Sequence, residues 1–181
     1  MTIPKTSDLC DACEAAAACE LSFMSIGRRT AFAGSIRTVS CTSGIAPLRE
    51  IVHQPGQGQV LVIDAAPIGF RAVFGDVMAA LAVRNGWAGV VVHGWVRDRR
   101  EIDEMAIGVK ALGTSPRRAS VAGGGEVDGT LRFGNIAFAP GSRLVADEDG
   151  VIVLPPGLNE SDIAIADTVA ATAAYVAAPR G

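Results

Sequence analysis

An α/β fold is what this sequence predicts, on three observations. Two continuous apolar runs, Val60-Leu61-Val62-Ile63 and Gly89-Val90-Val91-Val92, have the pattern of strands buried on both faces. Between them Val77, Ala80, Leu81 and Arg84 recur at helical spacing. A short charged stretch and a third apolar run, 107–112, follow. Strand, helix, strand, helix, strand is the order of right-handed parallel crossovers.

In chain order, Ser7 or Asp8 is placed to cap a first helix through Leu9, Cys13, Ala16 and Ala17, which breaks near residues 23–27. Residues 30–41 alternate as a strand through Phe32, Ile36 and Val39, with Gly34 as a candidate bulge. Pro47 opens a short helix to Val52, and Gly56-Gln57-Gly58 is a turn. After the run at 60–63 come a loop over 64–75, a helix over 76–85 closed by Gly86, the second apolar run, and a charged helix over 97–105. Beyond Ser120 the sequence turns to glycine-rich turns and short strands, with Asp149-Gly150 joining two of them as a hairpin. An Ala-rich helix is expected over 161–178. No repeat or linker divides the 181 residues, so one domain is expected over 1–181.

Composition narrows the function. A chain that is 49% hydrophobic and 19% charged is far from the disordered regime. A net charge of −3 with no aromatic interleaving around Arg97/Arg99/Arg100 or Arg117/Arg118 argues against direct nucleic-acid binding; such clusters read as solvated surface or a small-anion site. No apolar run is long enough to span a bilayer and residues 1–7 lack a leader's apolar segment, so a cytoplasmic protein is expected. Cys10 and Cys13 have a spacing used in redox and zinc sites, but no second pair accompanies them. The four cysteines are therefore read as small hydrophobes.

The chemistry concentrates between Gly75 and Pro116. Asp76 starts a helix, where the N–H groups of Val77 and Met78 are unpaired within the helix and attract an anion such as a carboxylate. Taken by itself, Asp76 is better read as a simple helix cap. Arg97-Asp98 follows the second apolar run, and ligands of parallel sheets bind beyond the carboxyl ends of strands. Arg97 offers a planar fork of donors to a carboxylate or enolate, and Asp98 a hard oxygen to Mg²⁺ or Mn²⁺; a surface ion pair fits the same two residues. His93 reads as a packed or hydrogen-bonded structural residue, and Lys110 as a lone lysine with little claim to Schiff-base chemistry. Gly123-Gly124-Gly125 does not open a helix as a phosphate loop does.

Three segments together carry a resemblance: Gly75-Asp76-Val77-Met78 and the residues after it, Asn85 to Arg97-Asp98, and Ile107 to Pro116. They resemble the RraA-like superfamily, which includes the regulator of ribonuclease E activity A and the class II 4-hydroxy-4-methyl-2-oxoglutarate aldolases. The similarity runs from Gly27 to Val153, and its most specific element is Asp76, twenty intervening residues, then Arg97-Asp98.

The resemblance implies a swivelling α/β/α-type sandwich in a ring-shaped homotrimer, sometimes doubled to a hexamer, with sites between subunits. It implies that Asp98 binds Mg²⁺ or Mn²⁺, that Arg97 contacts the keto or enolate side of a 2-keto acid, and that Asp76 holds a metal-bound water. Gly75 and the amides of Val77 and Met78 would surround the substrate's carboxylate. The implied activity is carbon–carbon cleavage, as oxaloacetate decarboxylase or as an aldolase on a 4-hydroxy-2-keto diacid. Regulator members can lack the acidic residue after the arginine, whereas this chain keeps Asp98. The aldolases are usually longer, with a C-terminal segment that reaches a neighbouring site, where Glu160 is a candidate contributor. The alternative is a non-catalytic protein that binds ribonuclease E or another RNA-decay protein. A methyltransferase, a name also attached to this family, is disfavoured because no glycine-rich nucleotide loop follows the first strand.

Overall fold

The computed structural model describes residues 3–165. Four strands form the parallel centre of one mixed sheet: β3 (Phe32–Ser40), β4 (Val60–Asp64), β6 (Gly89–Val96) and β7 (Val109–Thr114). The sheet runs β1-β11-β10-β3-β4-β6-β7-β2, where β1 (Ala17–Ala18), β2 (Met24–Ile26), β10 (Arg143–Ala146) and β11 (Val151–Val153) pair antiparallel at its two ends. It is the expected α/β class, with a curled sheet and few helices. A separate hairpin, β8 (Leu131–Phe133) with β9 (Ile136–Phe138), lies against it.

Successive side chains of the central strands enter two different cores, as a two-residue period requires. Leu61, Ile63, Val90 and Val92 join the core under α2 (Ala46–Val52), α3 (Asp76–Arg84) and α4 (Arg99–Asp103), to which Leu48, Ile51, Ala79, Ala82 and Ile102 contribute. Val60, Val62 and Val91 face the other way, onto Leu131, Phe133 and Phe138 of the hairpin. Both faces are thus buried, as the unbroken apolar runs predict. A third cluster sets Leu9 of α1 (Thr6–Ala12) against Val145, Ile152 and Leu154.

Several boundaries differ from the sequence expectation. The first helix ends at Ala12, and Ala17–Ala18 pairs instead with Val153 and Ile152, so edge-strand hydrogen bonding overrides alanine's helical preference. Residues 24–26 form a strand on β7 rather than a break. Gly34 is not a bulge, because β3 and β10 stay in register through it. A Cβ there would stand 2.4 Å from the Gly58 carbonyl oxygen, so close backbone approach is its reason. The expected loop over 64–75 contains a 3-10 turn, Ala66–Ile68, and a strand, β5 (Ala72–Phe74). The charged helix is shorter than 97–105, spanning Arg99–Asp103. Residues 160–162 form a 3-10 turn capped by Asn159 and Ile163 is extended, so no α-helix starts at Ser161; the remainder of that expected helix lies outside the described residues.

β5 is what positions the site. β6 pairs with β4 over Gly89 to His93, its register against β7 shifts between Val92 and Trp95, and β5 replaces β4 as partner at Trp95 and Val96. The chain leaving β5 enters α3 directly, beside the residues leaving β6.

Candidate active site

Gly75 is the residue before α3, and the first main-chain bond into the helix is from the Ala79 N–H to the Gly75 carbonyl at 2.9 Å. The N–H groups ahead of it lack helical partners. Val77 donates to Oδ1 of Asp76 at 2.7 Å, so Asp76 occupies one of the two amides expected to receive a carboxylate. The Met78 N–H has no partner among the described residues. Val77 itself is 68% exposed, whereas Met78 is buried in the core.

Arg97 is locked onto β5 by its own N–H, which donates to the Phe74 carbonyl at 3.0 Å. Its Nε donates to Oδ2 of Asp98 at 2.9 Å. Asp98 adopts φ 56°, ψ 39°, a left-handed conformation that costs most L residues energy but that Asp tolerates better than most. The sharp reversal returns its carboxylate toward Gly75. A side chain at Gly75 would collide with it, for a Cβ would lie 2.7 Å from Asp98 Oδ2 and 3.1 Å from Arg97 Cγ.

Burial pushes the Asp98 carboxyl up, but the hydrogen bond and charge of Arg97, with hydrogen bonding to Asp76, outweigh it and hold the group below its usual range. The Arg97 guanidinium is in turn held charged by its hydrogen bond to Asp98. The site therefore presents an ionised carboxylate beside a fixed cation.

All six residues singled out from the sequence, Gly75, Asp76, Val77, Met78, Arg97 and Asp98, line one crevice of about 320 Å³. Two further guanidiniums, Arg49 and Arg118, line it as well. Arg118 belongs to a basic cluster visible in the sequence, but nothing local connects it to Asp76. It arrives because residues 117–119 pair along β5: Ala72 N–H donates to the Arg117 carbonyl at 2.7 Å, and Ala119 N–H to the Ala72 carbonyl at 2.8 Å. Arg49 comes from α2 and carries no sequence signal.

The other candidates lie elsewhere. His93 Nδ1 donates to Asp64 Oδ1 at 2.9 Å and its ring stacks on Phe133 at 4.5 Å, as a structural residue would. Lys110 is buried and bonded to Ser25 Oγ and the Asp147 carbonyl, so it ties β7 to β2 and to the β10–β11 turn. Burial lowers its pKa, but it lines no part of the crevice. Glu160 pairs with Arg143 and is no part of the crevice in this chain. The four thiols are free, and burial pushes that of Cys41 up to about 12. The three glycines at 123–125 serve packing: Thr42 N–H donates to the Gly124 carbonyl at 2.9 Å, and a Cβ on Gly125 would meet the Ser40 carbonyl at 1.9 Å.

Asp76 and Asp98 bring hard carboxylate oxygens to one wall, and no group of three or more His, Cys, Asp or Glu side chains forms a metal cage among the described residues. That donor set fits a cation that binds through one or two carboxylates and completes its shell with water or substrate oxygens, as Mg²⁺ does. It does not fit a closed structural zinc site. No helix among the described residues is long and apolar enough to cross a membrane.

Comparison with known proteins agrees with the α/β fold. The family model described as RraA-like, Aldolase/RraA, matches residues 6–153, beginning further upstream than the sequence resemblance suggested. A structure from Thermus thermophilis described as the RNA-processing inhibitor RraA is 39% identical over 87% of this chain and 98% of its own, with a TM-score of 0.81. One from Geobacillus kaustophilus HTA426, described as an S-adenosylmethionine:2-dimethylmenaquinone methyltransferase, is 40% identical over 83% and 94%, with a TM-score of 0.80. Streptomyces coelicolor RraAS2, described as an unusual member of the RNase ES inhibitor RraA family, shares the fold at 23% identity over 96% and 89%, with a TM-score of 0.70. The chain belongs to the RraA-like family, whose members include both aldolases and RNA-processing inhibitors.

Proposed function

We propose that this crevice cleaves a carbon–carbon bond of a small 2-keto acid with the help of a divalent metal, as an oxaloacetate decarboxylase, a 4-hydroxy-4-methyl-2-oxoglutarate-type aldolase, or both. The observation that carries the reading is the left-handed turn at Asp98, which sets an ionised carboxylate and a charged arginine against the start of α3. Asp98 would hold Mg²⁺ or Mn²⁺, with Asp76 beside it to orient water, and the metal would supply Lewis-acid stabilisation of negative charge on the keto oxygen.

The protein's own groups do the rest. The Met78 amide and the α3 N-terminus hold the substrate's C1 carboxylate, and Gly75 leaves room for Asp98 and Arg97 beside it. Arg97 donates to the C2 oxygen, where charge develops as the C3–C4 bond breaks and its electron pair moves into the enolate. In decarboxylation CO₂ leaves without a base, and protonation at C3 gives pyruvate. Aldol cleavage also requires removal of the C4 hydroxyl proton, and the Asp76 oxygen not engaged by Val77 is placed to accept it directly or through water. We place this site in a homotrimer or hexamer, which the exposed Val77 beside it favours by offering apolar surface to a neighbouring subunit.

The test is pyruvate release from oxaloacetate with Mg²⁺, Mn²⁺ or excess EDTA, for the wild type, Arg97→Ala and Asp98→Ala. Turnover that requires metal and both side chains supports the reading; activity that survives chelator or either substitution defeats it.

A second reading is a regulator that binds a ribonuclease E-type RNA-decay protein, favoured by the 39% identity to the Thermus inhibitor. Inhibition of ribonuclease E cleavage by both wild type and Asp98→Ala would support it independently of catalysis. The methyltransferase activity named for the Geobacillus protein is not carried over, because the glycine run at 123–125 is committed to packing against residues 40–44.

A further inference from the structure

We infer that Arg118 and Arg49 form a distal anion clamp in this crevice and select 2-keto acids that carry a second carboxylate. The inference rests on the keto-acid reading of the site and assigns its specificity to two residues outside the Asp76, Arg97-Asp98 pattern.

β5 is the floor. Arg97 leaves the strand on one side of it, held by the bond to Phe74, and Arg118 leaves the segment on the other, paired at Ala72. Two strand spacings, roughly 10 Å, separate those backbones. A keto acid whose near end lies at Arg97 therefore extends across β5 toward Arg118, and α2 delivers Arg49 to the same crevice.

Charge supplies the second argument. Of the three arginines that line the crevice, Arg97 is committed to a carboxylate, that of Asp98. The side chains of Arg49 and Arg118 have no such partner among the described residues. With a divalent cation, the charges of Asp76, Asp98 and Arg97 leave one positive charge, which the C1 carboxylate neutralises. Arg49 and Arg118 then add two positive charges that a monocarboxylate leaves unmatched. A second carboxylate receives them, and guanidinium forks are the donors best suited to grip it.

Space is available in the same direction. Arg118 and Ala119 also line an adjoining recess of about 440 Å³ that carries the polar side chains of Thr42, Ser43, Arg71 and Ser120. A chain longer than pyruvate runs from an apolar-floored crevice into a polar one.

The experiment is calorimetric binding of pyruvate and of 2-oxoglutarate to the Mg²⁺-loaded protein, for wild type, Arg118→Ala, Arg49→Ala and Arg118→Lys. A hydrogen bond to a charged group corresponds to a loss of about tenfold or more in affinity when removed. Each alanine variant should weaken 2-oxoglutarate by about that factor while leaving pyruvate within about twofold, and Arg118→Lys should recover part of the loss by keeping the charge. Equal losses for both ligands, or none, would overturn the clamp. Wild-type protein that binds pyruvate as tightly as 2-oxoglutarate also overturns the clamp and leaves the keto-acid reading intact. Wild-type protein that binds neither overturns that reading, and the clamp with it.

Discussion

Gly75 and Asp98 are in such close approach that a single methyl group on the glycine would stand 2.7 Å from the Asp98 carboxylate. Gly75 has extended backbone angles that any residue adopts, so the requirement for glycine here is space and not conformation. Gly75→Ala should displace Asp98 and Arg97 from their positions around the start of α3. We expect kcat/KM for oxaloacetate to fall by about 100-fold, since misplacement of reacting groups by about an ångström costs that much. The melting temperature should change far less, and steady-state kinetics beside a thermal melt on the same preparation checks both.

Asp98 allows chemistry to be separated from backbone strain. Asn shares the tolerance of Asp for left-handed angles, so Asp98→Asn should fold with stability within about 0.5 kcal/mol of wild type while losing metal-dependent turnover. Asp98→Val places a β-branched residue at φ 56° and should cost at least about 1 kcal/mol in addition. Urea denaturation distinguishes them, and equal stability of the two variants would show that the turn is not strained.

Acid should loosen the N-terminus. Burial pushes the Asp147 carboxyl up, but hydrogen bonds from the Thr6 hydroxyl and N–H, at 2.6 and 2.7 Å, and from the Asp149 and Gly150 amides outweigh it. The folded-state pKa is therefore below the unfolded value of about 3.9. Its stabilisation is fully present above that unfolded value and is lost as pH falls through the folded one. Thr6→Val should cost about 1–2 kcal/mol near neutrality, and that difference should shrink as the pH is lowered below about 4. Denaturant midpoints of both proteins across pH report it.

Trp87 is 2% exposed and its indole N–H has no partner among the described residues. Trp87→Phe discards that donor and keeps an aromatic ring against Gly56, so the cost should stay under about 1.5 kcal/mol. Trp87→Ala, which removes the ring, should cost about 3–5 kcal/mol. Comparable losses for the two variants in chemical denaturation would indicate that the N–H is bonded after all.

The elements legible in the sequence were those whose signal is local. The runs at 60–63 and 89–92 lack polar residues because helices bury one face of the central strands and the hairpin the other. The periodicity of α3 and the turn at Asp149-Gly150 are likewise short-range, and both appear at the expected places. The strands of two or three residues, β1, β2 and β5, were not legible, since so few residues establish no period and only pairing with distant chain makes them strands. Alanines at 16–18 therefore read as helix, and residues 72–74 as loop.

The candidate site divides in the same way. The sequence by itself determined that an acidic helix start and an Arg-Asp pair stand a fixed distance apart, each after a strand, because both lie within one contiguous crossover. Only the tertiary structure decided that β5 replaces β4 beside β6, that Asp98 turns left-handed to face Gly75, and that Asp76 takes the Val77 amide for itself. Only it, too, brought Arg49 and Arg118 to the crevice. Those relationships join residues far apart in the chain through backbone pairing and packing, and no spacing within the sequence encodes them.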